Sequence, residues 1–478
     1  MNWFVRGALF TGIFAALIVA TAVSVPGAAG AQDPQSDGLA NSEAPPGEEP
    51  APEPLSTIFP HSETSRLWLS GQMNFIEQWH GNFHSPYQGP LSLNARREDA
   101  LSRVLTLASG VELTSYAEVL FQVESAGGAG ISRGLGVAGY PNLDVIRNPT
   151  LGSAPYIGRA MLHFAIPLSD ERIRATRNPL SIFRELPARR LELRIGKMGI
   201  VDFFDVNSAG NDSHLQFLNL TVDNNGAYDY AADTRGYTVA AMLEFEDRTW
   251  GVRFAEALMP RQANGIDLQW NLSRARAENI EFELRKSVVP RKTGVVRLLT
   301  YINHANMGDY RAAIQQFESG QTSRPDVTNH PLQTTIKYGF GINAEQGISD
   351  WLTAFGRFGW DEGRHESFAY TEVNQAVTFG AVLPGKKWRR GLDRAGIAFS
   401  SNALSGDHRR YLALGGQGFI LGDGRLDYGR EKIFETFYTV HFWRGVFGAF
   451  DLQHINNPGY NRDRGPVLVP AFRLHLDL

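Results

Sequence analysis

The sequence predicts an all-β protein, a sixteen-stranded antiparallel transmembrane β-barrel with a long loop folded into its lumen. Three observations support this prediction: segments with one apolar and one polar face, an even number of such segments, and connections that alternate between short and long. The chain has 478 residues and no cysteine, so disulfides do not stabilise it.

The N-terminus predicts export from the cytoplasm. Arg6 precedes an apolar run at 8–23, and the small residues Ala29-Gly30-Ala31 follow, which is the pattern of a secretory signal cleaved before Gln32. An uncleaved membrane anchor is the alternative, but the apolar run is short for one. The expected domains are a signal peptide at 1–31, a disordered Pro/Glu-rich periplasmic tail at 32–62 and an outer-membrane barrel at 63–478.

The distribution of charge excludes nucleic acid as a partner. The whole chain has a net charge of −4, but residues 32–60 contain six acids and no base, so the remainder is close to neutral. A nucleic-acid-binding protein would need a strong basic excess. No apolar stretch after the signal is long enough for a spanning helix, and a closed barrel is the other structure that satisfies its backbone in lipid.

Two-faced segments recur along the chain. In 280–285, Ile280, Phe282 and Leu284 alternate with Glu281, Glu283 and Arg285. Such alternation fits a barrel that faces lipid outside and water inside, and equally a soluble sandwich with an apolar core. The predicted strands are 66–79, 100–108, 111–124, 158–167, 189–198, 234–246, 249–259, 271–285, 292–304, 333–347, 351–361, 371–382, 391–402, 429–444, 447–457 and 464–477.

The connections favour the barrel over the sandwich, because short turns on one side and long loops on the other are typical of outer-membrane barrels. The predicted short turns are Ser109-Gly110, Asp247-Arg248, Ile348-Ser349 and Gly445-Val446, and the predicted long loops are 80–99, 125–157, 199–233, 305–332 and 403–428. The connection 168–188 departs from this pattern, since it is long and basic on the short side; we interpret it as containing a short helix. Trp250, Trp351, Trp360 and Trp443 lie near strand ends, where interfacial aromatic girdles occur.

The third long connection, 199–233, is the candidate functional segment. A wide barrel is an open tube unless something partly fills it, and the amides, acids and aromatics of this loop suit sugar hydroxyls and ring faces. The candidate constriction residues in it are Asp202, Phe204, Asp205, Asn207, Asn211, Asp212 and Gln216. The alternative is that these side chains only cap turns and fasten the loop to the wall.

The segment 457–466 supplies three further candidates, Tyr460, Arg462 and Arg464. The functional interpretation is a charged ladder that faces the loop across the pore, with arginines such as Arg462, Arg464 or Arg235 balancing the loop acids. The alternative is a tight turn before the last strand with its own ion pairs.

Five segments resemble the OprB-type carbohydrate-selective porins: 70–89 (SGQMNFIEQWHGNFHSPYQG), 123–149, 194–219 (RIGKMGIVDFFDVNSAGNDSHLQFLN), 412–431 and 455–475. The resemblance implies a sixteen-stranded, monomeric barrel in the bacterial outer membrane that passes neutral sugars such as glucose by passive diffusion. The expected partners are then neutral sugars, outer-membrane lipid and lipopolysaccharide, and the barrel-assembly machinery. A structural or adhesive barrel without selective transport is the alternative function.

Catalytic motifs are missing from the sequence. There is no H-E-x-x-H, P-loop or G-x-S-x-G pattern, and the Gly-rich runs lack the strand-then-helix context of nucleotide loops. We therefore expect no enzymatic activity, no cofactor and no metal site, and regard a barrel hydrolase as the least favoured alternative.

Overall fold

A computed structural model describes residues 57–62, 64–145 and 151–478. The predicted signal peptide and the tail up to residue 56 lie outside the described residues, as do residues 146–150 of the second long loop. Residues 57–62 were expected to end the disordered tail, but they contact the barrel: the Ile58 N–H donates to the Asp477 carbonyl at 2.8 Å, and His61 Nε2 lies 2.9 Å from the Leu478 carbonyl oxygen.

Within the described residues, sixteen antiparallel strands close into one barrel, as predicted. Each strand pairs with its sequence neighbour, and the last pairs with the first, for example Phe75 with Leu474, so that no open edge remains. The barrel strands are β1 (Leu67–His80), β2 (Glu98–Thr114), β3 (Ala117–Gly128), β4 (Tyr156–Pro167), β7 (Arg190–Met198), β8 (Thr238–Glu246), β9 (Trp250–Ala257), β10 (Arg276–Arg285), β11 (Gly294–Ala305), β12 (Thr335–Ser349), β13 (Leu352–Asp361), β14 (Gln375–Pro384), β15 (Arg394–Ala403), β16 (Glu431–Trp443), β17 (Val446–Asn456) and β18 (Val467–Asp477).

The alternation along each strand separates an outer apolar face from an inner polar one. On β10, Phe282 is 39% exposed while its neighbours Glu281 and Glu283 are buried, and on β17 Phe450 is exposed while Asp451 is buried. Outward apolar side chains face lipid, and the polar side chains point inward. The two-faced prediction is confirmed, and the sandwich alternative is wrong.

Two sequence predictions about the short side are wrong. The turn placed at Ser109-Gly110 lies inside β2, and the chain reverses instead at residues 115–116 between β2 and β3. The connection between β4 and β7 contains no helix; it forms a two-stranded hairpin of β5 (Arg172–Arg174) and β6 (Glu185–Pro187).

The long loops pack together over one end of the barrel. They carry three α-helices within the described residues: α1 (Leu220–Asp223), α2 (Tyr310–Glu318) and α3 (Gly406–Ala413). Helices α2 and α3 meet through Tyr310 and His408, whose rings stack with centroids 4.3 Å apart. None of the helices in the described part of the chain has the length and apolar content needed to cross a bilayer.

The third loop, residues 199–237, joins β7 to β8 and turns inward. It begins with a 3₁₀ turn at Ile200–Asp202 and contains α1, whose N-cap Asn219 accepts a hydrogen bond from the Thr221 N–H. Its anchors include inward-facing side chains of the strands from β9, which carries Arg253, to β18, which carries Arg473. The loop therefore runs along the inside of the wall rather than out over its rim.

Candidate functional site

The start of the third loop sits on a belt of paired charges on the inner wall. Arg253 on β9 donates to the Phe203 carbonyl at 2.8 Å and to Glu281 Oε1 at 2.7 Å. Glu281 in turn accepts the Asp205 N–H at 2.7 Å. Phe204, a predicted constriction residue, is fully buried in the core beside this belt. It therefore fixes the loop and presents no face to solute.

Asp205 fastens the loop to the wall. Its carboxylate lies 3.0 Å from Arg357 Nε, and both side chains are at most 2% exposed. Asn343 donates to the Asp205 carbonyl at 2.7 Å and accepts from Asn207 at 2.8 Å. Asp205 also adopts a positive φ of 58°, which Asp tolerates better than most residues. These contacts support a fastening role for Asp205 and Asn207, in which the side chains hold the loop on the wall, rather than direct contact with solute.

The distal part of the loop is held by the strands near the barrel seam. Arg473 on β18 donates to the carbonyls of Ser213 and Gln216, the latter at 3.0 Å. Glu435 on β16 accepts the Leu218 N–H at 2.6 Å. Gln216 itself is buried and donates to the Ser208 carbonyl at 3.0 Å, so its amide bridges the loop internally.

Asp202 remains partly accessible and is matched by an arginine. Arg159, on the inner face of β4, grips it with two bonds, Nε to Oδ2 at 2.7 Å and Nη2 to Oδ1 at 2.5 Å. The same guanidinium donates to Gln122 at 2.7 Å and lies 5.3 Å from the Tyr237 ring centroid. Arg159 and Asp202 keep 16% and 13% of their side-chain surface exposed. This cluster combines a bidentate pair with an aromatic ring, which suits a ligand rich in hydroxyls.

His214 of the third loop contacts the second long loop. His214 Nε2 lies 3.4 Å from Asp144 Oδ2, and Ser213 Oγ donates to the other oxygen of Asp144 at 2.8 Å. Burial opposes protonation of His214, but the adjacent carboxylate outweighs it and raises the pKa of His214 to about 9. The ring of His475 lies 5.1 Å away. The positive charge on His214 therefore offsets the negative charge of Asp144 at neutral pH.

The second partly exposed pair of a loop acid with an arginine lies on the side of the loop towards the short turns. Asp212 Oδ2 is 3.4 Å from Arg394 Nη1, and both side chains are 35% exposed. Arg394, Ser208 and Thr353 help to line a cleft of about 260 Å³ between the loop and the ends of β13 to β15. Asn211 accepts a hydrogen bond from Arg357 and donates to Asn224 at 3.2 Å, so it supports the loop beside this cleft.

The candidates in 457–466 do not face the third loop, and this correction changes which arginines balance its acids. Arg464 is buried and pairs with Asp423 at 2.7 Å, Tyr460 is buried and donates to the Glu372 carbonyl at 2.8 Å, and Arg462 is exposed with its N–H bonded to the Asp427 carbonyl. These residues join the loops over the outer end of the barrel. The other proposed balancing residue, Arg235, lies 4.0 Å over the Tyr156 ring.

The arginines that balance the loop acids are Arg159, Arg357 and Arg394, which sequence reasoning missed. All three are inward-facing strand residues, so the same alternation that defined the lipid face could have pointed to them. Asp202, Asp205 and Asp212 thus each have their own cation, and these three pairs offer oriented donors and acceptors without forming a like-charged ring. Such rings are what select ions, whereas balanced pairs suit neutral hydroxylated solutes. Among the described residues no group of three or more His, Cys, Asp or Glu side chains is arranged to hold a metal ion.

Comparison with known proteins assigns this sequence to a family. The sequence model described as "Carbohydrate-selective porin, OprB family" matches residues 101–478. A search of curated proteins found no match.

A search of solved structures found similar chains that are distant in sequence. The high-pH structure of OprB from Pseudomonas putida has a TM-score of 0.63 at 15% identity and covers 86% of this chain and 94% of its own. The low-pH structure of Pseudomonas putida OprB has a TM-score of 0.45 at 11% identity, covering 86% and 92%. The outer membrane channel DcaP of Acinetobacter baumannii has a TM-score of 0.46 at 10% identity, covering 86% and 97%. At 15% identity, the likeness to the high-pH structure concerns the fold alone.

Proposed function

The chain belongs to the OprB family of carbohydrate-selective porins, and we propose that it lets small neutral sugars of the glucose type diffuse passively into the periplasm. It is a barrel of the bacterial outer membrane, where such a channel meets external solutes. The observation that carries the proposal is that each of three third-loop acids is matched by its own wall arginine: Asp202 by Arg159, Asp205 by Arg357 and Asp212 by Arg394.

In this proposal the third loop narrows the lumen, and its residues divide into two groups. Asp202 and Asp212, with Arg159 and Arg394, remain partly exposed and contact the solute. The buried candidates hold the loop in place; these are Phe204, Asp205, Asn207 and Gln216, with Asn211 between the two groups. Contacts with solute are weak, because a channel must release what it admits. Diffusion changes no covalent bond, so the proposal involves no catalysis.

The partners follow from the site and the compartment. Outward apolar strand faces contact outer-membrane lipid, with lipopolysaccharide in the outer leaflet. We also expect the barrel-assembly machinery to insert the chain and the barrel to work as a monomer.

Liposome swelling tests the proposal. The purified barrel is reconstituted and the liposomes are diluted into isosmotic glucose, raffinose or glycine, with protein-free liposomes as the control. We expect rapid swelling in glucose and much slower swelling in raffinose. If no solute causes swelling, the channel proposal is wrong and the structural or adhesive barrel becomes the better account.

A further inference from the structure

The connection between β4 and β7 enters the barrel from the short-turn side. We call residues 168–189 the periplasmic insert, because short turns of outer-membrane barrels face the periplasm. Its β5–β6 hairpin is largely exposed, but Ile182 and Phe183 at its far end are at most 2% exposed. Apolar side chains at the tip of a polar turn need a partner surface, which the inner wall supplies.

The tip contacts inward-facing residues of three strands. The Ile182 N–H donates to Glu118 Oε2 at 3.0 Å, and the Phe183 ring lies 5.4 Å from that of His163. Gly110 leaves room for the tip: a Cβ at that position would lie 2.9 Å from Ile182 Cγ2. Glu118, His163 and Gly110 belong to β3, β4 and β2, so the tip occupies the inside of this part of the barrel.

The insert and the third loop cover different parts of the wall. Apart from Arg159 on β4 and contacts at the rim, the loop anchors described above are on β9 to β18, whereas the insert is anchored on β2 to β4. Because the insert enters from the short-turn side, it lies at the periplasmic end of the part of the wall formed by β2 to β4. Here Arg184 of the insert pairs with Glu112 of β2: their closest atoms are 3.5 Å apart, and 43% of the Arg184 side chain is exposed.

One guanidinium holds the insert in position. Arg177 donates to the Ile182 carbonyl at 2.9 Å, to Ser62 at 2.7 Å and to Ser65 at 2.9 Å, the last two being carbonyls of the segment that precedes β1. These three bonds fasten the tip to a segment that is itself bonded to the barrel end through Ile58. The insert is thus attached to the inner wall through its tip and to the segment before β1 through Arg177.

We infer that the periplasmic insert is a second constriction, placed at the exit in series with the third loop, and that Arg184 and Glu112 form a charged pair that a solute passes there. The inference rests on the proposed channel function, and it adds the exit residues that limit solute size. A guanidinium paired with a carboxylate at this point again offers donors and acceptors to hydroxyls without net charge.

Single-channel recording of cysteine variants tests the inference, since the chain has no cysteine of its own. Arg184→Cys is treated with a bulky charged thiol reagent, added to each side of the bilayer in turn. We expect the reagent to reduce the current through Arg184→Cys, and to react faster from the periplasmic side. Arg172→Cys, exposed on the hairpin of the same insert, is the matched control and should be labelled without a change in current. Labelling of Arg184→Cys without a change in current would overturn the inference.

A second variant separates the inference from the proposed function. Ile182→Ser with Phe183→Ser removes the apolar tip, and heat-modifiable mobility on gels reports whether the barrel still folds. Conductance should rise by up to roughly twofold, the limit for removing one of two equal resistances in series along a pore. Unchanged conductance in the folded variant would contradict an exit constriction. Because both tests measure ion current, they remain decisive even if the swelling assay shows that no sugar passes.

Discussion

The acids Asp205 and Asp212 lie on one loop and carry the same charge, yet their replacement by asparagine should have very different effects. Asp205 is 2% exposed and 3.0 Å from a buried Arg357. Removing one partner of a buried pair costs about 3–5 kcal/mol. Arg357 would keep its bonds to the carbonyls of Val222 and Gly210, at 2.8 and 3.1 Å, so we expect the lower end, about 3 kcal/mol.

Asp212 provides the matched comparison. Its pair with Arg394 is 3.4 Å long and 35% exposed on both sides, and exposed pairs contribute about 0–1 kcal/mol. Amide hydrogens of the loop exchange when the loop opens locally, and each 1.36 kcal/mol lost from the closed state lowers their protection about tenfold. Asp205→Asn should therefore reduce the protection of the loop amides by roughly 150-fold, and Asp212→Asn by less than roughly sixfold.

Hydrogen exchange measured by mass spectrometry over residues 205–225 checks this pair of predictions, with strand peptides as the internal reference. Equal protection in the two variants would refute the division of the loop into fastening and solute-facing acids. Loss of protection throughout the barrel in Asp205→Asn would mean that the loop is part of the folding unit.

Three further predictions follow from the pairs and packing described above. Arg159→Gln should leave Asp202 unbalanced and make the channel more cation-selective, Asp202→Asn should do the reverse, and the double variant should return to the original reversal potential in a salt gradient. The contact between His214 and Asp144 should stabilise the loop fully below pH about 6.5 and lose that contribution as the pH rises through about 9, because the pKa of His214 is raised on folding; current noise from loop opening should increase over that window. Tyr460→Ala should cost about 3–5 kcal/mol of stability through the cavity it leaves, while the ratio of glucose to salt permeability stays the same.

Each of these has an outcome that contradicts it. A double variant at 159 and 202 that keeps the selectivity of one single variant would show that the two charges do not compensate each other. His214→Gln should remove the pH dependence; a pH dependence that persists in this variant would show that His214 is not its cause. A change in sugar preference in Tyr460→Ala would place that side chain in the solute path, against its burial.

The barrel could be predicted from the sequence because lipid and water impose a period of two on every strand. The error at Ser109-Gly110 has a physical cause. Glycine was interpreted as a turn residue, but Gly110 continues β2 and is small because Ile182 packs against its inner face. Similarly, Pro179 and Pro187 in the insert are incompatible with a helix interior, and the segment pairs as β5 and β6 instead.

The site could be predicted only in part. The third loop was identified by its polar and aromatic composition, but composition does not reveal partners such as Arg357, which is 152 residues from Asp205 in the chain. Those partners depend on strand register, which brings distant inward-facing side chains to the same height. The periplasmic insert was missed for the same reason, since its apolar tip is explained only by the wall it contacts.

Deletion of residues 207–215 is the most direct test of the claim that the third loop narrows a channel for neutral sugars. Single-channel conductance and liposome swelling are measured on the wild type and on the deletion variant, after both have been shown to fold. The account predicts higher conductance and entry of raffinose-sized solutes in the variant. Unchanged conductance and unchanged sugar flux would contradict it, because the loop would then not limit the path.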